Sequence, residues 1–492
     1  MTARSQPSEP NRWAVLALLG VAQLIVVLDA TIVNIALPSA QKSLGFSTDS
    51  RQWVVTAYAL AFGSLLLLGG KLGDLFGRKW TFIAGLAGFS LASALGGFSQ
   101  SFGMLIAARG LQGVFGALLA PSALSLLTVT FAGSPDRAKA FGIFGAIAGG
   151  GASVGLLLGG VLTQALSWRW CLYVNLAIAI PTAIAAMRLL RNESDPERPR
   201  IDLPGVFAAT GGLFALVYGF SNAETHSWSA PVTIVALVLS VVLLSTFVLV
   251  ESRASHPLLP LHIIRDRARG GAYASIALAG SGVFGVFLFL TYYLQQNLGF
   301  SPLKTGVAFL PLTAVIVVTS TTVQTKLLGR IGVKPLVAVG MALGAVAMVL
   351  FAQLKPGSDY AGDVLPGLIV IGLGMGCVFA PAFSTATLGV SGNEAGVASA
   401  MVNTSQQVGG SVGTALLSTL FASAVSSYAA SHAHVAHVAE VSTIHGYTVA
   451  FWWAAGIFAV GLVVALVVLP SSIRPQTVEA SASSTRDPAG AL

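Results

Sequence analysis

Charge is what this chain has least of. Asp, Glu, Lys and Arg make up only 9% of its 492 residues, against about 25% in a soluble domain. That scarcity excludes an ordinary cytosolic enzyme. With a mean hydropathy of +0.81 it also excludes a disordered chain and a nucleic-acid binder, in spite of a net charge of +8. Cysteine is nearly missing too: Cys171 and Cys377 both lie in apolar runs, so no disulfide framework is implied. No GxxxxGK[ST] occurs, because Gly70–Lys71 is followed by Leu72, so no nucleotide-hydrolysing engine is indicated. What the chain does have is 55% apolar residues, 55 glycines and 26 phenylalanines. It reads as a polytopic membrane protein.

A membrane span needs roughly 20 apolar residues. Runs of that kind place helices near 13–37, 52–70, 80–98, 103–128, 138–162, 169–190, 203–221, 230–250, 271–296, 303–324, 335–353, 364–388, 395–427 and 446–469. The expected fold is therefore all-α, with about fourteen transmembrane helices. Outer-membrane strands would instead alternate over about ten residues. The polar residues 1–12 precede a run too long for a signal-peptide core, so the first helix is expected to be retained. With the N-terminus in the cytoplasm, 20 Lys and Arg fall in inner segments. Only five (Lys42, Arg51, Arg169, Lys304 and Lys355) fall in outer ones. The positive-inside rule then places both termini in the cytoplasm of a cell whose inner membrane holds the protein.

A weak repeat runs through the chain. "GGKLGDLFGRKW" at 69–80 and "QTKLLGRIGVKP" at 324–335 are related at an offset of 255 residues, which maps helices one to six onto nine to fourteen. The expected organisation is a tail at 1–12, a six-helix bundle at 13–190, two inserted helices with charged flanks at 191–270, a second six-helix bundle at 271–469 and a tail at 470–492. Two related halves around a midplane cavity are a transporter layout.

Two ionisable residues lie inside spans, Asp29 in "VVLDATIVNIALP" and Arg109 in "LIAARGLQGVFGALLAP". A charge at the bilayer centre costs about 2.5–3.5 kcal/mol on insertion scales, so such residues face the protein interior and pair. At about 1.5 Å per residue, Asp29 lies roughly 12 Å and Arg109 roughly 9 Å below the outer end of its helix. An ion pair or a shared water cluster is therefore expected. Such a carboxylate fits a proton carrier, a cation ligand for substrate or a structural pair that fixes helix packing. In "GGKLGDLFGRK", Gly70, Gly73 and Gly77 permit close approach and tight turning, while Asp74, Arg78 and Lys79 offer charged hydrogen bonds at the inner mouth. A basic loop that serves topology alone is the alternative. "GASVGLLLGG" puts Gly151, Gly155 and Gly159 on one helix face, with Gly160 beside them. Asn34, Tyr58, Gln112, Tyr292, Gln295 and Gln406 are span polar groups that suit either a cavity lining or helix-packing hydrogen bonds. His432, His434 and His437 read as a solvated outer loop rather than a metal site, and Glu394 as a helix-start carboxylate rather than a second protonation site.

At these residues the chain resembles the major facilitator superfamily, specifically its fourteen-helix drug:proton antiporter branch of multidrug and antiseptic resistance transporters. The resemblance covers nearly the whole chain. "LDATIVNIALP" (28–38) is similar to that branch's first-helix motif, "GKLGDLFGRK" (70–79) to the loop motif, and "ARGLQGVFGALLAP" (108–121) to the fourth-helix motif. "WRWCLYVN" (168–175) also looks like this branch. The resemblance implies that Asp29 titrates, that Arg109 is tied to proton transfer, and that Asp74 and Arg78 belong to an inner gating network. It also puts Gly155, Gly159 and Gly160 in the antiporter motif. That motif usually carries a proline after its central glycine, where this chain has Leu156, and the second-half loop has Gly329 where Asp74 sits.

The expectation is a non-enzymatic, proton-coupled exporter of hydrophobic or amphipathic small molecules such as drugs or antibiotics, working by alternating access as a monomer in the lipid bilayer. It is expected to use the proton gradient and no cofactor or metal, and to bind no nucleic acid. The alternatives are a dedicated exporter of one natural product or lipid, a proton symporter that imports, and a non-transporting receptor or scaffold.

Overall fold

The computed structural model describes residues 11–46, 53–191, 202–255, 257–432 and 437–471. Among the described residues, fourteen helices are long and apolar enough to cross a membrane. They are α1 (Arg12–Leu44), α2 (Trp53–Phe76), α3 (Arg78–Gly97), α4 (Phe102–Thr130), α5 (Arg137–Ala165), α6 (Trp170–Leu189), α7 (Leu203–Ala223) and α8 (Pro231–Glu251). After these come α9 (Arg267–Asn297), α10 (Leu303–Ile331), α11 (Val333–Phe351), α12 (Tyr360–Ala386), α13 (Gly392–Ser431) and α14 (Val438–Val468). No strand occurs among the described residues. We call the end at which α1 begins proximal and the opposite end distal.

Several helices outrun their apolar stretches. The first passes through Pro38 to Gly45, which ends it with φ at 70° and donates its N–H to the Gln41 carbonyl. Sequence reading started α14 near 446, whereas it begins at Val438. The extra turns mix polar with apolar residues, and the His445 ring lies 4.6 Å from that of Tyr428 on α13. The repeat is visible in the backbone. Gly77 opens α3 with φ at 92°, and Gly332, 255 positions on, opens α11 with φ at 80°. Both turns use a left-handed conformation that only glycine adopts without strain.

Within the first six spans α4 packs against α2 and α3, and α5 against α1; later in the chain α9 pairs with α13 and α11 with α12 and α14. Contacts between early and late spans run through α5 against α10 and α12, and through α2 against α13. The pair α7 and α8 packs together, and α7 lies on α2 and α13 through Ala208, Ala209, Leu213, Leu67, Val397 and Ala400. Outward faces carry bare apolar side chains, among them Val235, Val241, Leu249 and Val463, as a lipid-facing surface requires.

Candidate functional site

The face of α1 that carries Asp29 is drawn onto α5 by small residues. Gly151 meets Leu24 and Val27, Gly155 meets Leu28 and Thr31, and Gly159 meets Ile32. A Cβ added at Gly155 would sit 3.0 Å from the Leu28 carbonyl oxygen, so the two backbones touch only because no side chain intervenes. Gly160 is buried on the same helix.

Asp29 is fully buried and accepts three charged or amide donors. Arg109 of α4 donates through Nη1 to Oδ2 at 2.5 Å; Oδ1 accepts from Asn175 Nδ2 of α6 at 2.7 Å and from Gln112 Nε2 at 2.9 Å. Around them Ser93 Oγ of α3 accepts from Gln112 at 2.6 Å and from Asn175 at 3.3 Å. Arg109 also donates Nε to the Val54 carbonyl at 3.1 Å and Nη1 to Gln112 Oε1 at 2.8 Å, with its guanidinium 4.5 Å from the centre of the Tyr58 ring. Five helices thus converge on one carboxylate. Adding a proton there would leave a buried guanidinium without its counter-charge, an expensive state that favours rearrangement. Toward the distal end a small apolar void of about 10 Å³, room for no more than one water, abuts Arg109 between Val33, Leu37, Val54, Leu105 and Trp168.

The structure puts two of the six polar span residues here. Gln112 bonds Asp29 directly, and Tyr58 lies under Arg109. The other four are dispersed: Asn34 and Tyr292 are exposed, and Gln295 and Gln406 are half-buried on α9 and α13. Sequence reading did not single out Asn175 or Ser93. Asn175 closes the "WRWCLYVN" segment and is the only amide in α6, which was the available signal.

A second cluster lies at the proximal end. Asp74, at the end of α2, accepts the backbone N–H of Gly396 at 3.0 Å and of Val397 at 3.3 Å, which caps the first turn of the helix in α13. A carboxylate is well placed there, because a helix N-terminus carries unpaired N–H groups and partial positive charge. Arg78 pairs with Asp74 at 2.9 Å and donates to the Gly392 carbonyl. Gly70 lets α2 and α13 touch: an added Cβ would lie 2.5 Å from the Gly396 carbonyl oxygen. Gly73 faces the Ser122 hydroxyl, and Lys79 donates to the Met187 carbonyl at 2.8 Å. Glu394 pairs with His262 Nε2 at 3.3 Å and accepts from Ser391 Oγ at 3.0 Å. Of the three loop histidines, His434 lies outside the described residues. His432 stacks on Tyr428 at 4.1 Å, and no group of three metal-ligating side chains occurs among the described residues. Both cysteines are buried and free.

The model of the Major Facilitator Superfamily matches residues 19–414. The puromycin resistance protein pur8 of Streptomyces alboniger is 47% identical over 486 residues, covering 98% of this chain and 96% of that protein. The cephamycin export protein CmcT of Amycolatopsis lactamdurans is 40% identical, with 82% of this chain and 84% of that one covered. The tetracenomycin C resistance and export protein of Streptomyces glaucescens is 35% identical over 84% of this chain and 76% of its own. In three dimensions the crystal structure of the human organic anion transporter MFSD10 (TETRAN) superposes with a TM-score of 0.61, covering 94% of this chain and all of that one, at 16% identity. That likeness concerns the fold.

Proposed function

The chain belongs to the Major Facilitator Superfamily, a transporter family and not an enzyme one, and from that premise we propose that it exports drug-like amphipathic molecules, puromycin among them, in exchange for protons. Three relatives named for resistance to, or export of, a single antibiotic support the direction and the substrate class. The observation that carries the proton side is the burial of Asp29 among Arg109, Gln112 and Asn175. With its charge in place the carboxylate holds α1, α4 and α6 together. A proton arriving from the distal side removes that hold, and Arg109 is freed to move. Coupling between proton uptake and drug release at the distal face follows if the same helices also shape the substrate path. The Asp74 and Arg78 cluster keeps the proximal end shut in this conformation, and its release gives the opposite state of an alternating-access cycle. By the positive-inside count the proximal end is cytoplasmic, the side from which an exporter loads.

The test is flux in proteoliposomes of puromycin and several lipophilic dyes against an imposed pH gradient. We expect Asp29→Asn to bind dye as the parent does and to lose gradient-driven movement. Gradient-driven efflux that survives this change would refute proton coupling through Asp29. A second reading, a dedicated exporter of one compound, is favoured by relatives each named for one antibiotic. A panel in which puromycin moves and the dyes do not would select it.

A further inference from the structure

We infer that Arg137 is a positioning residue of the proximal closure, a clasp that binds the C-terminal ends of α4 and α12 to each other. The inference rests on the alternating-access reading, for which it names a control point. Arg137 is the first residue of α5 and is half-buried. Its Nη1 donates to the Thr128 carbonyl in the last turn of α4 at 3.3 Å. Its Nη2 faces the end of α12: the Thr387 hydroxyl at 3.1 Å and the carbonyls of Thr387 at 3.4 Å and Ser384 at 3.5 Å. The guanidinium lies 4.4 Å from the centre of the Phe141 ring one turn along α5, which fixes its plane. Helix C-termini present unpaired carbonyls and partial negative charge. One planar cation with five donors serves two such ends at once, which a lysine ammonium does less well.

The contact spans early and late parts of the chain, and it complements the Asp74 cluster. Asp74 and Arg78 grip the start of α13 at Gly392, Gly396 and Val397; Arg137 grips the end of α12 at Thr387. The connector between these two helices is therefore held at both ends, the anion on a helix N-terminus and the cation on a helix C-terminus. The repeat leaves room for a second grip. The position matching Asp74 is Gly329, which has no carboxylate to offer the start of α5. Arg137 stands at that start and supplies a different contact to the neighbouring helix. Just beyond it the two parts of the chain are in close packing: a Cβ added at Gly145 would lie 2.9 Å from Ala380. The proximal end opens only when Arg137 lets go of α12.

The experiment reads which end is open. Ser399 on α13 is fully buried beside the Gly70–Gly396 contact, so Ser399→Cys reports proximal opening through its labelling by a membrane-impermeant maleimide added from the side on which the chain begins. The same protein without Ser399→Cys sets the background from Cys171 and Cys377. We expect Arg137→Gln to raise the labelling rate about tenfold, as the loss of a partly buried helix-end charge implies. Asp74→Asn should raise it similarly, and Arg137→Lys and Thr387→Val should raise it less, with detergent unfolding temperatures close to the parent's. Parental labelling in Arg137→Gln alongside raised labelling in Asp74→Asn would overturn the inference and leave the transport reading standing. If Arg137→Gln does not fold, parental labelling in both Arg137→Lys and Thr387→Val overturns it equally. Raised labelling in Arg137→Gln from a parent that moves neither puromycin nor dye would sink the transport reading and keep the clasp.

Discussion

Asn175 reaches Asp29 at 2.7 Å, closer than Gln112, and it spends its remaining contact on Ser93. It brings no charge of its own, so its removal weakens the hold on the carboxylate without creating an unpaired ion. A hydrogen bond to a charged group contributes about 1.5–3 kcal/mol. Asn175→Ala should therefore slow gradient-driven efflux by about tenfold while dye affinity stays within about twofold. Paired flux and equilibrium-binding measurements check this; a collapse of binding would mean that Asn175 shapes the substrate site instead. The Asp29–Arg109 contact was legible in the sequence because each is the lone ionisable residue deep in its span, and buried charge seeks its opposite. Asn175 was not, because a neutral amide in a span carries no comparable cost and many such residues serve helix packing. Arg137 was hidden for another reason. At a span end it was one more basic residue in a topology count, and only the fold shows that α12 ends beside it.

Among the helices, the approach of α1 to α5 decides where Asp29 sits. Gly155 is the tightest point of that approach, against Leu28 and Thr31, the residues on either side of the stretch that bears the carboxylate. Gly110 on α4 is a fair comparison, since an added Cβ there meets nothing within 4 Å. Forcing volume into a packed contact costs about 1–3 kcal/mol, while an alanine replacing glycine in an open helix position is neutral or mildly favourable. Gly155→Leu should lower the detergent unfolding temperature by several degrees and abolish efflux, and Gly110→Ala should leave both near parental values. Thermal unfolding followed by size-exclusion recovery gives the first reading, and dye flux the second. The spacing of Gly151, Gly155 and Gly159 was readable as a small-residue face, yet the spacing does not say which helix that face meets. Leu156, in place of the expected proline, leaves α5 without a proline inside it, and its partners α10 and α12 follow it along much of its length.

Across the whole molecule, the inserted pair occupies a position that hydropathy alone does not reveal. Fourteen apolar runs and an offset of 255 residues separate α7 and α8 from the rest, but they do not say where the pair docks. In the fold α7 lies over the seam between α2 and α13, the helices that meet at Gly70 and Gly396. Any parting of that seam must leave α7 with one side or the other. Polar ties run to both sides. Trp228 Nε1 donates to Thr419 on α13 at 2.8 Å and His262, past α8, pairs with Glu394 at 3.3 Å, both at exposed positions, while the tie from the linker to α2 is part-buried. Glu251 accepts the N–H groups of Leu258 and Leu259, both at 3.1 Å, which folds the linker back on itself, and Lys71 Nζ of α2 donates to the Pro257 carbonyl at 3.0 Å. On the strength of that part-buried tie we expect the insert to travel with the first six spans, its apolar contacts with Val397 and Ala400 sliding. Lys71→Met keeps the aliphatic stem and removes the tie, worth about 1.5 kcal/mol at most, the low end for a charged group, because the ammonium is only half-buried. Loosened from α2, the insert would lag when the seam opens, so efflux should slow by about threefold to tenfold. Dye affinity and Ser399→Cys labelling at rest should stay near parental values, because the Asp74 and Arg137 grips are intact. Labelling that rises in Lys71→Met as it does in Asp74→Asn would show instead that Lys71 belongs to the closure itself, and that α7 and α8 help to hold the proximal end shut.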